Sequence, residues 1–252
     1  MNARTKRSLD RYFKDYRDLI AKCEAAKVRD RSGFVDFFNR LRKDIPALQR
    51  SRRRTELLYA PRFNIFKVLP VERRETLLHS PLFANLLDPL GSHGQGCLFL
   101  GTFFEVARRN AHLVPPKEPL EPNDWSVRSE VYIGNGSIDL LVESQKQSYV
   151  LIIENKIDAL EQQSQLSRYH KWLRERRGDF AFRQLVFLTP TGRPSELSPR
   201  IPCALMSYGR DIRELMKLTM SQIRPYHLKQ LLGQYLAVLN DWAEEAYEYT
   251  AR

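Results

Sequence analysis

The sequence has few cysteines and no long apolar run, and both absences narrow the class of protein. Its three cysteines, Cys23, Cys97 and Cys203, are odd in number, widely separated and not in a metal-ligand spacing. We interpret them as small buried hydrophobic residues in a reducing compartment. The longest aliphatic run, residues 150–153, is too short to cross a bilayer. No apolar signal region follows the basic residues 1–7, so we expect a cytoplasmic protein that is neither secreted nor membrane-bound.

Negative charge is also scarce, especially near the N-terminus. The 252-residue chain has 41 Lys and Arg against 30 Asp and Glu, a formal net charge of +11. Residues 1–60 hold 17 Lys and Arg against 8 Asp and Glu, which gives +9 of that total. A surface of this sign attracts polyanions, of which nucleic acid is the commonest in a cytoplasm. Charge alone leaves open both a nucleic-acid-binding face and a merely solvated basic face.

The basic N-terminal quarter is predicted to be helical. Apolar residues recur at helical spacing over residues 12–23, and again over residues 34–45 up to an expected break at Pro46. The overall composition, 42% hydrophobic and 28% charged, is that of a globular protein with enough apolar residues for one sizeable core. We therefore expect a basic helical extension at residues 1–60 and one main domain at residues 61–252.

Short helices are predicted at the start of the main domain. Helical spacing continues over residues 71–79, and Ser80 followed by Pro81 has the composition of an N-cap and a first helical residue. A glycine-rich loop separates this short helix from another over residues 99–109. The proline-rich segment 115–122 then ends the helical pattern, and strand-type alternation begins beyond it.

Residues 125–153 have the pattern of a β-hairpin followed by a buried strand. Apolar and polar residues alternate on both sides of the turn 134–136, and the apolar run 149–153 is typical of a central strand covered on both faces. Asp158 and Glu161 are expected to lie at the N-terminus of a helix, where the helix dipole stabilises acidic side chains. The remaining predicted elements are helix 160–177, strands 185–188 and 203–206, and helices from residue 211 and over about 225–249. This order predicts an α/β protein with a mixed central sheet.

Charged residues interrupt the buried strands at Asp139 and at Glu154, Asn155 and Lys156. A charge at the end of an apolar strand lowers stability unless it is paired or binds metal. Because strand side chains alternate, Glu154 and Lys156 lie on one face about 6.6 Å apart, whereas Asn155 points the other way. If Asp139 pairs beside Glu154, the two carboxylates repel by roughly 4 kcal/mol at about 4 Å and an effective dielectric of about 20. Ligation by carboxylates, a backbone carbonyl and water suits Mg²⁺ or Mn²⁺ rather than zinc. A solvent-facing salt bridge between Glu154 and Lys156 is the alternative.

Three sequence elements together resemble the PD-(D/E)XK nuclease superfamily. They are Gly136-Ser137-Ile138-Asp139, then Ile153-Glu154-Asn155-Lys156, then Gln165 and Tyr169 one helical turn apart. The resemblance covers the αβββαβ core of that superfamily, about residues 71–207. It implies a restriction-endonuclease-like α/β fold, with a mixed central sheet flanked by helices and a helical N-terminal extension added to it.

The resemblance also implies roles for the interrupting charges. By resemblance, Asp139 and Glu154 hold the metal. Lys156 orients or deprotonates the attacking water and stabilises the charge that develops on the phosphorus group. The first element has Ile138 where the name of the superfamily indicates proline, but that position varies widely among its members.

Upstream residues extend the resemblance to a bacterial branch of the superfamily. Glu75 followed by His79-Ser80 resembles its upstream helical Glu, and residues 86–89 and 93–94 continue the pattern. Glu75 lining an exposed helix face is the alternative. His79 and His93 are expected to be structural hydrogen-bonding residues. The implied catalytic set is Asp139, Glu154, Lys156, Glu75, Gln165 and Tyr169, and the implied metal site is Asp139, Glu154, Asn155 and Glu75.

The expected function is therefore that of a Mg²⁺-dependent phosphodiesterase, with Mn²⁺ as a substitute. The resemblance favours a DNA endonuclease that acts in restriction or anti-phage defence, as a homodimer or with a protein partner. Two alternatives stay open. One is a catalytically idle nucleic-acid-binding or scaffolding module on the same fold, and the other is a nuclease for RNA or branched DNA. An intact Asp, Glu and Lys set favours an active enzyme over the idle module.

Overall fold

The structure is a computed structural model. It describes residues 14–15, 17–18, 31–117, 119–159, 161–162 and 164–250. Most of the helix predicted over residues 12–23, together with Cys23, lies outside the described residues. Cys97 and Cys203 have free thiols and are partly buried, in line with their interpretation as small hydrophobic residues.

The chain divides into two compact units, Met1–Asn64 and Ile65–Arg252. The first contains helix α1, Arg31–Tyr59, whose described side chains are mostly exposed. The predicted break at Pro46 is wrong, because α1 continues through this residue. An interior proline costs a helix about 3 kcal/mol at one position, and the good helix formers on either side of Pro46 keep the two halves helical.

The second unit contains the sheet and the other described helices. Its elements are α2 (Ile65–Val68), a π-helical turn (Glu75–His79), α3 (Ser80–Leu87), α4 (Leu98–Ala111), a 3₁₀ turn (Pro122–Asp124), β1 (Ser126–Tyr132), β2 (Ser137–Ser144), β3 (Tyr149–Asn155), α5 (Gln165–Glu175), β4 (Phe182–Thr189), β5 (Ala204–Ser207), a second π-helical turn (Tyr208–Ile212), α6 (Arg213–Met220) and α7 (Tyr226–Thr250). None of the helices in the described part of the chain is long and apolar enough to cross a membrane.

The start of α3 differs from the sequence-based expectation. Ser80 was predicted to be an N-cap, but its backbone is helical and its N–H donates to the Glu75 carbonyl. Helical structure therefore runs from the π-helical turn into α3 without interruption. A cap is unnecessary there, because the preceding turn already supplies acceptors for the first N–H groups.

The sheet has the strand order β1-β2-β3-β4-β5. The β1-β2 and β2-β3 pairs are antiparallel, whereas β3-β4 and β4-β5 are parallel. Strand β3 lies at the centre and is buried at every position. The predicted α/β fold with a mixed central sheet flanked by helices is confirmed.

The two faces of β3 pack into two separate cores. Leu151 and Ile153 belong to the larger core, which also contains residues of α3, α4, α6 and α7. Val150 and Ile152 belong to the smaller core, where α5 covers the sheet. Each fully buried aliphatic side chain stabilises the fold by about 1.5–3 kcal/mol, so the direction of every β3 residue is firmly set. Residues that follow Ile153 must therefore alternate between these two environments.

Candidate active site

The carboxylates of Asp139 and Glu154 lie on neighbouring central strands. The β2-β3 register pairs Leu140 with Ile153, so the next position along both strands sets Asp139 beside Glu154. Asp139 Oδ2 accepts a hydrogen bond of 2.7 Å from the backbone N–H of Asn155. The structure thus brings together the two strand ends that the sequence singled out.

Glu154 is almost completely buried, with a side chain that is 1% exposed. Among the described residues, neither Oε1 nor Oε2 has a partner at hydrogen-bond geometry, although the side chains of Asp139 and Tyr169 lie close enough to influence its pKa. Lys156 Nζ lies 3.9 Å from Glu154 Oε1, which is ion-pair distance but too long for a hydrogen bond. Burial, followed by the charge of Asp139, raises the pKa of Glu154 well above its usual range, although the charge of Lys156 opposes this. A buried carboxylate whose hydrogen bonds are not formed lowers stability and is suited to bind a cation.

Asp139 is held partly in its protonated form by the same environment. Burial raises the pKa of Asp139 to about 6, against the opposing effect of the hydrogen bond from the Asn155 N–H, and the charge of Glu130 raises it further. Two adjacent carboxyl groups with raised pKa values are the pattern expected where like charges share a site and a counter-ion would relieve the repulsion.

Glu130 is a third carboxylate at this position of the sheet, and sequence analysis missed it. The β1-β2 register pairs Ser129 with Leu140 and Val131 with Ile138, which leaves Glu130 opposite Asp139. Its backbone is left-handed, with φ 54°, a conformation that L residues other than glycine seldom adopt. Burial and the charge of Glu75 raise the pKa of Glu130. The two strands of the hairpin pair outward from the turn at residues 134–135. The residue four positions before 134 therefore lies opposite Asp139, which is four positions after 135, and this count identifies Glu130.

Asn155 points to the opposite face of β3 from Glu154. Its Nδ2 donates to Ser80 Oγ at 3.3 Å, and its Oδ1 accepts from the Tyr208 hydroxyl at 2.8 Å. The side chain is fully buried. Asn155 therefore meets the predicted metal site only through its backbone, because its amide group is engaged elsewhere.

Glu75 holds the chain segment that follows Lys156. Its Oε1 accepts hydrogen bonds from the backbone N–H groups of Ile157 at 2.6 Å and Ala159 at 3.3 Å. In the same segment, Asp158 pairs with Arg73 at 2.6 Å. Glu75 thus fixes the path of the chain on leaving β3, rather than lining an exposed helix face.

Gln165 and Tyr169 connect the start of α5 to the start of β2. Gln165 Nε2 lies 3.0 Å from the Tyr169 hydroxyl, which in turn donates to the Ser137 carbonyl. Burial, followed by the charge of Glu154, raises the pKa of Tyr169. Both residues therefore lie at the site, and their hydrogen bonds hold the start of β2 against α5.

His79 and His93 take part in structural hydrogen bonds. His79 Nδ1 lies 2.9 Å from the Tyr235 hydroxyl, and Nε2 lies 2.9 Å from the Glu72 carbonyl. A carbonyl only accepts, so we assign the proton to Nε2 and an acceptor role to Nδ1. Burial lowers the pKa of His79 to about 4, which keeps the ring neutral. His93 Nε2 similarly lies 2.9 Å from the Asp88 carbonyl.

Glu161 does not have the helix-start role that the sequence suggested. Helix α5 begins at Gln165, and no acidic residue lies in its first turn. Glu161 instead accepts hydrogen bonds from Ser195 Oγ at 2.6 Å and from the Leu197 N–H at 3.2 Å, and it pairs with Arg193. The helix in whose first turn Glu161 was expected begins only at Gln165. Glu161 instead anchors the loop between β4 and β5.

The residues present fit a divalent cation with few protein ligands. Among the described residues, no three His, Cys, Asp or Glu side chains form a ready-made metal cluster. Asp139 and Glu154 nevertheless supply adjacent carboxylates, and the oxygens of Glu154 are unpartnered. Mg²⁺ is typically bound by one or two carboxylates and keeps several waters. The donor set matches that preference and contains no sulfur or imidazole ligand that would favour zinc.

A family model matches most of the chain. The model of the PD-(D/E)XK nuclease superfamily matches residues 63–237, well over half of the chain and all of the residues discussed for the site. The chain therefore belongs to the PD-(D/E)XK nuclease superfamily. No curated protein and no solved structure shows a significant match to it. Membership identifies a nuclease class that acts on nucleic acid and generally uses divalent metals.

Proposed function

We propose that the protein is a Mg²⁺-dependent nuclease that hydrolyses phosphodiester bonds in DNA. The observation that carries this proposal is the buried carboxylate of Glu154, which lies beside Asp139 and 3.9 Å from Lys156 and has no hydrogen-bond partner among the described residues. Such a group costs stability that a bound divalent cation would offset. The intact set of Asp139, Glu154 and Lys156 favours an active enzyme over an idle module.

The carboxylates of Asp139 and Glu154 would hold the metal. The Asn155 N–H points towards Asp139, and the N–H and C=O of one strand residue point to the same side, so the Asn155 carbonyl also faces this site. A bound divalent cation supplies positive charge for the transition state and lowers the pKa of a coordinated water. Glu130 would act from outside this ligand set, through water.

Lys156 would act on the reacting groups. Its side chain is 7% exposed, and its Nζ lies 3.9 Å from Glu154 Oε1, so the ammonium group projects into the same space as the two carboxylates. There it donates hydrogen bonds to the attacking water and to a non-bridging phosphate oxygen. The water oxygen bonds to phosphorus as the water loses a proton to solvent, and the bond from phosphorus to the 3′ oxygen breaks in line. The products are a 5′-phosphate and a 3′-hydroxyl, whose oxygen takes a proton from solvent.

Glu75, Gln165 and Tyr169 would position these groups. Glu75 holds the backbone immediately after Lys156, and the Gln165–Tyr169 pair holds the start of β2, two residues before Asp139. A shift of about 1 Å at a catalytic group is enough to lower the rate by about 100-fold. Substitution of any of the three is therefore expected to reduce cleavage without removing a reacting group.

Cleavage assays test the proposal directly. Purified protein is incubated with plasmid, linear and single-stranded DNA and with RNA, with and without Mg²⁺ or Mn²⁺. Metal-dependent cleavage of DNA by the wild type, but not by Glu154→Gln, is the expected result. Cleavage of RNA or branched DNA alone would replace the DNA substrate, and binding without cleavage would favour the idle module. A role in restriction or anti-phage defence in the cytoplasm, as a homodimer or with a protein partner, belongs to the same proposal and follows from the family resemblance.

The basic extension would add affinity for nucleic acid. Residues 1–60 carry +9 of the formal charge and contain no candidate catalytic residue. A chain of residues 61–252 should retain folding and cleavage, and its binding should depend less steeply on salt. For duplex DNA, the log-log slope should flatten by about 0.9 for each phosphate that the truncated chain no longer neutralises. An unchanged slope in a soluble, active truncation would point to a protein partner for the extension.

A further inference from the structure

A cavity of about 370 Å³ lies beside the C-terminal half of α5 and the start of β4. None of the residues of the candidate active site lines it. The lining residues are His170, Leu173, Arg174, Arg177, Arg183, Leu185 and Pro202. They combine an apolar floor with three guanidinium groups, and no acidic side chain is among them.

No ion pair within the described residues neutralises the positive charge of this cavity. Within the described residues, neither Arg174 nor Arg177 takes part in an ion pair. Arg183 donates to the carbonyls of Phe180 and, at 3.3 Å, of Ala181, which fixes its position without removing its charge. Several unpaired cations around one space repel each other, and an anion placed between them would relieve that repulsion.

The shape of the cavity suits an anion with an attached organic group. His170, Leu173 and Arg174 have the spacing i, i+3, i+4, so α5 presents them on one side, and Arg177 lies in the turn that follows the helix. The volume lies within the range of about 300–1,000 Å³ that is typical of small-ligand pockets and exceeds the need of a single oxyanion. Leu173, Leu185 and Pro202 would contact the apolar part of such a ligand.

We propose that this basic cavity binds a phosphate, with its adjoining sugar or base, of the nucleic-acid strand that enters the active site. This inference rests on the proposed nuclease function. Tyr169 lies at the active site, and Arg174 follows it on α5 by five residues, about 7.5 Å along the helix axis. One strand of a duplex carries a phosphate about every 3.4 Å of its axis. The cavity therefore begins about two nucleotides from the scissile bond.

Binding measured without divalent metal tests the cavity separately from cleavage. The full chain is titrated in EDTA with a fluorescently labelled single-stranded oligonucleotide at several salt concentrations. Arg174→Ala/Arg177→Ala should weaken binding about tenfold or more and flatten the log-log salt slope by about 0.7, the value for one phosphate that is no longer neutralised. The matched control, Lys171→Ala/Lys217→Ala, removes two charges from exposed residues that do not line the cavity, and it should change binding much less.

Each other outcome is decisive. Equal weakening by the control and the cavity variants would mean that only net charge matters, and it would overturn the proposal. Competition by inorganic phosphate or a nucleoside monophosphate as strong as that of unlabelled oligonucleotide would assign the cavity to a small free anion instead. If a lowered melting temperature shows that the double variant is poorly folded, Arg177→Gln alone replaces it, with an expected slope change of about 0.7. A wild type that cleaves nothing but loses binding on Arg174→Ala/Arg177→Ala would refute the nuclease and leave the cavity assignment standing.

Discussion

The two faces of β3 differ in whether their buried polar side chains form hydrogen bonds. On the face of the larger core, Asn155 is fully buried, and both polar atoms of its side chain have partners, Ser80 and Tyr208. On the face covered by α5, Glu154 is equally buried, and within the described part of the chain neither carboxylate oxygen has a hydrogen-bond partner. Both residues belong to the same strand, so burial alone does not explain the difference. One face completes its hydrogen bonds and serves the fold, whereas the other leaves an acceptor open for a cation.

This contrast has an energetic consequence. A buried polar group without a partner costs about 1–3 kcal/mol, and more if it is charged. The apolar residues of β3 on both faces offset that cost, since each buried aliphatic side chain contributes about 1.5–3 kcal/mol. The most deeply buried strand of the sheet is therefore the one best able to carry an unsatisfied carboxylate at its end. Four predictions test this comparison.

The largest effect is expected for Lys156→Ala, on the open face. Cleavage should fall by at least about 100- to 1,000-fold, because a donor aimed at developing charge is removed. Nucleic-acid binding should change little, since phosphate contacts elsewhere supply affinity. Lys171→Ala, which removes an exposed lysine of α5, is the control for cleavage rates. Undiminished cleavage by the Lys156 variant would remove this residue from the mechanism.

The next effect concerns stability of the metal-free protein as pH changes. The pKa of Asp139 is raised from 3.8 to about 6 in the folded state. The folded state therefore favours the protonated form, so the stabilisation is complete below about pH 4 and is lost as pH rises through about 6. The shift corresponds to a loss on the order of 3 kcal/mol. Asp139→Asn should remove this loss in urea unfolding carried out in EDTA.

The comparison for that experiment is the difference between variant and wild type at each pH. The free energy of unfolding of Asp139→Asn, relative to wild type, should rise between pH 4 and pH 7. A difference that stays constant over this range would show that Asp139 is not perturbed by its buried neighbours.

A smaller effect is expected for metal affinity. Asp139→Asn and Glu154→Gln should each weaken Mn²⁺ or Mg²⁺ binding by about tenfold or more in calorimetry, because one anionic ligand is removed. Glu143→Gln is a matched control on β2, where Glu143 pairs with Arg128 outside the site. Unchanged affinity in both site variants would show that the open face does not bind metal.

The smallest effect is expected on the closed face. Tyr208→Phe removes the hydroxyl that donates to Asn155 Oδ1, and it should lower the free energy of unfolding by about 1 kcal/mol. Cleavage should change by no more than a few-fold, since every reacting group is retained. Thermal and urea unfolding measure the first quantity, and initial rates measure the second. A large loss of cleavage at unchanged stability would make the closed face part of the chemistry and would end the contrast.

The sequence revealed the open face because charge is conspicuous inside apolar strands. Asp139, Glu154 and Lys156 interrupt otherwise hydrophobic runs, and the alternation of β3 was enough to place Glu154 and Lys156 together. Glu130 lacked that signal, since it lies in the partly exposed edge strand β1, where a charge is ordinary. Its left-handed backbone is a tertiary property that composition does not encode.

The basic cavity, too, could be predicted only in part from the sequence. The closeness of Arg174 and Arg177 at the end of α5 can be read from the sequence, but Arg183 and Pro202 join them only through the packing of β4 and the chain before β5. The continuity of α1 through Pro46 was missed for the opposite reason, because a strong local signal was overridden by the helix around it.

The geometry of the candidate active site depends on the number of residues in the π-helical turn Glu75–His79. Single substitutions would not reveal this dependence. The wide hydrogen bonds of the turn, such as those from the His79 N–H to the Arg74 carbonyl and from the Ser80 N–H to the Glu75 carbonyl, accommodate one residue more than an α-helical turn. Deleting one residue here would restore α-helical winding and rotate everything upstream by about 100° relative to α3. Glu75 would then face away from the Ile157 N–H that it holds. During evolution, gain or loss of one codon in this turn would form or break the hydrogen bonds from Glu75 to the segment after Lys156. Asp139, Glu154 and Lys156 themselves would stay unchanged.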